Sequence, residues 1–142
     1  MKKLIVMLIV LTATSAVFAE ESESEAFYIL FAPNSARLRD VSVEQALANV
    51  EVITEVVRIL NDNPKYRLLI DGHANAVVNT SREERDSLRP LSQQRAEAAA
   101  NYIVENFRID RQRLIISGAG GRYTSSTVGS YNRRVSFYFV TP

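Results

Sequence analysis

The residue best placed to do recognition chemistry is Arg95. It follows Pro90-Leu91-Ser92, and with Ser92 as the cap of a helix running through about Phe107, the spacing puts Arg95 in the first turn. A planar guanidinium there, beside the free N–H groups of a helix start, suits a carboxylate. The competing reading is a solvated helix arginine. His73 sits just past a strand end beside Gly72, where it is able to face a ligand. A lone histidine with no charged partner in sequence is more often a hydrogen-bonded packing residue, and packing is the favoured reading. Gly118, Gly120 and Gly121 follow a strand, but they lead into a Ser/Thr-rich stretch and lack the third glycine of a phosphate loop, so a tight backbone turn is expected there.

Catalysis is poorly served. The chain has one histidine, no cysteine, no His-Glu-x-x-His and no Gly-x-Ser-x-Gly. The expectation is a protein that is not an enzyme and takes no cofactor and no metal.

The elements that must position these residues follow from periodicity. Phe27-Tyr28-Ile29-Leu30-Phe31, stopped by Pro33-Asn34, reads as a strand, and its lack of alternation predicts burial on both faces. Val43, Ala46, Leu47, Val50, Ile53, Val57 and Leu60 mark one face of a helix over Ser42 to Leu60, ended by Asn63-Pro64. Tyr66 to Ile70 is a second strand. Ala76 to Pro90 is charge-dense and reads as a long surface loop with room for a helical turn. The next helix turns Ala96, Ala99, Ile103 and Phe107 inward, and its alanines allow close packing on a sheet. Arg113 to Ser117 and Arg134 to Val140 complete the strands. The order β-α-β-α-β-β makes a single α+β domain with helices on one face of a sheet.

The chain of 142 residues has room for one domain, and 46% hydrophobic with 23% charged residues is ordinary globular composition. Its first 19 residues read as an export signal: Lys2 and Lys3, an apolar run from Leu4 to Val17, and a small-x-small site at Val17-Phe18-Ala19, with cleavage after Ala19. A transmembrane anchor is the competing reading, weakened by Thr12, Thr14 and Ser15 and by the acidic cluster that follows. Residues 20–25 alternate Ser and Glu as a flexible lead, and the domain occupies 26–142. Without cysteine there is no lipid attachment and no disulfide. Losing Lys2 and Lys3 takes the formal charge from +1 to −1, which leaves no footprint for nucleic acid.

Five segments together resemble the OmpA-like family: Leu30-Phe31-Ala32-Pro33-Asn34-Ser35-Ala36, Ile70-Asp71-Gly72-His73, Leu91-Ser92-Gln93-Gln94-Arg95-Ala96, Gly118-Ala119-Gly120 and Asn132-Arg133-Arg134-Val135. The resemblance covers roughly Ala26 to Thr141 and implies a mixed four-stranded sheet. It further implies a periplasmic, non-catalytic domain that grips the diamino acid of the peptidoglycan stem peptide. Arg95 would then bind the ligand carboxylate, Asn132 and Arg133 would line the same side, and the turn at Asn34 would border the pocket with His73 nearby. The family loop Gly-His-Thr-Asp uses its aspartate to meet the ligand amine; here Ala74-Asn75 replaces Thr-Asp, with Asn75 as a neutral acceptor. Asn75 and Arg95 are also 20 residues apart, a longer spacing than the commonest family form, and Leu88 falls where an asparagine often stands. These departures motivate an alternative: an OmpA-like scaffold that has lost wall binding and contacts another envelope protein.

Overall fold

The computed structural model describes residues 27–76, 81–121 and 129–142. The expected signal peptide (1–19) and acidic lead (20–25) lie outside the described residues. Four strands, β1 (Tyr28–Leu30), β2 (Arg67–Gly72), β3 (Leu114–Gly118) and β4 (Arg134–Val140), form one mixed sheet in the order β1-β4-β2-β3. β4 is antiparallel to both neighbours, and β2 runs parallel to β3, which needs the crossover that a long helix supplies. The helices are α1 (Val43–Asp62), the short α2 (Arg82–Ser87), α3 (Arg89–Phe107) and the single turn α4 (Gly129–Asn132). The expected α+β class and mixed four-stranded sheet are both present.

Burial explains the register. Ile29, Leu68, Ile70, Val135 and Phe137 meet Ile53, Val56, Leu60, Ala96, Ala99 and Ile103 of the two long helices in one core. Each fully buried aliphatic side chain contributes roughly 1.5–3 kcal/mol. The alanines bring α3 close to the sheet at Gly72, where an added Cβ would lie 1.8 Å from the Ser92 carbonyl oxygen.

Several sequence expectations are corrected. β1 is an edge strand, and its burial alternates around Ile29 instead of covering both faces. The strand buried on successive positions is β4, which has neighbours on both sides. On α1 the buried stripe runs through Asn49, Ile53, Val56, Val57 and Leu60, whereas Val43 and Leu47 stay 79% and 63% exposed. A helix of 20 residues is about 30 Å long, more than a three-residue strand can cover. The polar Asn49 takes a core position because it pairs with the β1 backbone: its Oδ1 accepts from the Leu30 N–H at 3.1 Å, and its Nδ2 donates to the Leu30 carbonyl at 2.9 Å.

The described part of the 76–90 segment is not all loop. Ser81 caps α2 by accepting from the Glu84 N–H, and α3 begins at Arg89 with Pro90 in its first turn, where the missing N–H costs nothing. Ser92 is therefore inside α3 and does not cap it. Its hydroxyl donates to the Arg89 carbonyl and accepts from the Gly120 N–H, both at 2.8 Å.

Candidate functional site

The earlier start of α3 moves Arg95 to the seventh helical position, beyond the free N–H groups of the helix start. Arg95 is fully buried. Its guanidinium donates Nε to the Ser35 carbonyl (2.8 Å), Nη1 to the His73 carbonyl (2.9 Å) and Nη2 to the Ala32 carbonyl (3.1 Å), and it lies 5.5 Å from the Phe31 ring centroid. The first-turn placement of this residue is therefore corrected. It is not a solvated helix arginine, and three of its five N–H groups already hold protein carbonyls. It ties the loop after β1 to the loop after β2. Burial, followed by the nearby charge of Arg133, pushes its pKa down to about 10.

Above this tie lies a cavity of about 100 Å³ lined by Pro33, Asn34, Ala74, Asn75, Leu88, Leu91, Arg95 and Arg133. That volume is about three water molecules, enough for the tip of a side chain or a terminal carboxylate. Four of the six residues singled out in the sequence line it: Asn34, Asn75, Arg95 and Arg133. Asn132 is buried behind the wall, and its Nδ2 donates to Asn75 Oδ1 at 3.1 Å. His73 is not a lining residue. It is buried, with Nε2 3.2 Å from an Asp71 carboxylate oxygen, which is the charged partner that the sequence did not reveal.

Each wall is placed by backbone bonding. Asn34 adopts a left-handed conformation (φ 54°), which asparagine tolerates and a tight turn requires. The loop carrying Asn75 is pinned by the His73 N–H to the Arg134 carbonyl and by the Ala74 N–H to the Gly120 carbonyl, both at 2.8 Å. Gly120 has φ 63°, and it holds the expected backbone turn. Arg133 lines the cavity, and it donates Nε to the Phe31 carbonyl at 3.3 Å, which among the described residues is the one hydrogen bond of its guanidinium. Asn75 and Arg133 both press on Gly129, where an added Cβ would lie 3.1 Å from Asn75 Nδ2 and 3.4 Å from Arg133 Nη1.

Leu88, Leu91, Pro33 and Ala74 complete the lining and were not foreseen as site residues. Leu91 and Pro33 stand within the quoted motifs, which is the available signal; Leu88 stands out in the sequence only as a departure from the family pattern. Among the described residues no cluster of His, Cys, Asp and Glu suits a metal ion, and no helix is long and apolar enough to cross a membrane.

Comparison with known proteins matches this architecture. No curated protein matches the chain. Among solved structures, the peptidoglycan-associated lipoprotein from Burkholderia pseudomallei is similar with a TM-score of 0.62 at 15% identity, covering 80% of this chain and 89% of that one. The OmpA-like domain of FopA1 from Francisella tularensis gives 0.59 at 20% identity, covering 80% and 71%. An outer membrane protein from Borrelia burgdorferi B31 gives 0.53 at 25% identity, covering 78% and 82%. The OmpA family model matches residues 30–135. With that match spanning most of the chain, and with its sheet order and cavity built from the same segments, this chain belongs to the OmpA family.

Proposed function

We propose that this protein is a periplasmic, non-catalytic peptidoglycan-binding domain that grips the stem peptide through a carboxylate. The observation that carries the reading is the cavity itself, which gathers Asn34, Asn75, Arg95 and Arg133 from four separate parts of the chain around a space the size of a carboxylate-bearing tip. Arg133 supplies the direct charge-assisted hydrogen bonds, worth roughly 1.5–3 kcal/mol each. Arg95 supplies positive potential from beneath the floor and fixes the two loops that form the rim. Asn75 offers a neutral acceptor, and Asn132 holds that amide in place. Export through the segment 1–19, without lipidation, would deliver the domain to the wall.

Co-sedimentation of residues 20–142 with purified cell-wall sacculi tests the reading. Binding by the native protein that Arg133→Ala abolishes is the expected result. Native protein and Asn75→Asp both remaining in the supernatant would sink it. The second reading, a protein-binding scaffold of the envelope, would then take over. It is favoured by one observation, the exposure of Val43, Leu47 and Val50 along α1.

A further inference from the structure

The charge balance around the cavity restricts the ligand further than the proposed function does. Two lining residues, Arg95 and Arg133, are cationic, and the described lining contains no Asp or Glu. Segments 77–80 and 122–128 lie outside the described residues; their sequences, Val-Val-Asn-Thr and Arg-Tyr-Thr-Ser-Ser-Thr-Val, contain no acidic residue. Three acidic side chains on nearby segments are engaged elsewhere. Asp71 faces His73, Asp40 accepts from the Ser35 hydroxyl at 2.6 Å, and Asp86 lies 3.6 Å from Arg89. Among the described residues, therefore, no acidic side chain of the cavity lining neutralises a cation brought in by a ligand.

From this imbalance we infer that the site selects a carboxylate-bearing diamino acid whose side-chain amine is acylated, as it is at a cross-link between two stem peptides, over one whose amine is a free ammonium. The inference rests on the peptidoglycan reading above. A carboxylate on the ligand meets Arg133 in either case. The second group differs: an ammonium would sit in a cavity already bearing two guanidinium charges, whereas an amide N–H is a neutral donor. Asn75 Oδ1, already accepting from Asn132, has a second lone pair for such a donor. Replacing a carboxylate acceptor by an amide removes the attraction for the charged form and leaves the hydrogen bond to the neutral form intact.

Calorimetric titration of residues 20–142 with two synthetic stem tripeptides ending in diaminopimelate, one with a free side-chain amine and one N-acetylated there, tests the inference. The acetylated peptide is expected to bind at least about tenfold more tightly, since a like charge a few ångströms from a guanidinium in a partly buried site costs an order of magnitude in affinity. Asn75→Asp, at an exposed position whose hydrogen bond to Asn132 a carboxylate also accepts, should reverse the order. Equal or tighter binding of the free-amine peptide by the native protein would overturn the selectivity while leaving the peptidoglycan reading standing. Binding of neither peptide would overturn both.

Discussion

Arg95 Nη1 donates to the His73 carbonyl oxygen at 2.9 Å across 22 residues of sequence, so the arginine of α3 is bonded to the backbone of the loop that leads to Asn75. The same guanidinium reaches the carbonyls of Ser35 and Ala32, 60 and 63 residues away, on the turn that carries Asn34. One buried side chain thus sets the separation of the two rims of the cavity. Effects of removing it will mix folding with binding.

Arg95→Ala is accordingly expected to cost about 3 kcal/mol or more, because it leaves three carbonyls without their donor and opens a void in the core. Urea denaturation followed by circular dichroism measures this. Arg95→Lys should recover only part of the loss, since a single ammonium cannot span three carbonyls held in a fork.

Arg133→Ala separates the two effects. Among the described residues the partly buried guanidinium gives the fold one long hydrogen bond, to Phe31, so the unfolding free energy should change by about 1 kcal/mol or less. Sedimentation with sacculi should fall at least about tenfold.

Gly72→Ala should prevent a native fold or destabilise it by several kcal/mol, since the new methyl would overlap the Ser92 backbone and neither β2 nor α3 has slack to move apart. Loss of native near-ultraviolet dichroism would report it.

The pH dependence of binding has a defined sign. Arg95 has its pKa depressed to about 10, so its charge is complete below pH 9 and declines as pH rises through 10. Affinity for an anionic stem peptide should be flat from pH 6 to 9 and fall above about 10, measured by titration at constant ionic strength. Stability carries the opposite sign between pH 10 and the higher pKa of an ordinary arginine, because there the unfolded chain binds the extra proton and folding gains as pH rises.

Periodicity and turn chemistry in the sequence were enough to place both long helices and all four strands, because those signals are local: Ser42 caps α1 and Asn63 closes it, and Arg134 to Val140 is β4 to the residue. The resemblance to the OmpA-like family, and not periodicity, pointed to the segments of Asn34, Asn75 and Arg133, which line the cavity. The start of α3 was misread because Pro90 and Ser92 are each compatible with a helix end or a first turn, and packing of Ser92 against Gly120 decided between them. Neither periodicity nor motif order shows which of two arginines is consumed by the fold. Arg95 lies under the loops and spends its N–H groups on their carbonyls, while Arg133, 38 residues later, faces the space they enclose. Only tertiary structure settles that division, because it depends on which carbonyls are left without donors when the two loops come together.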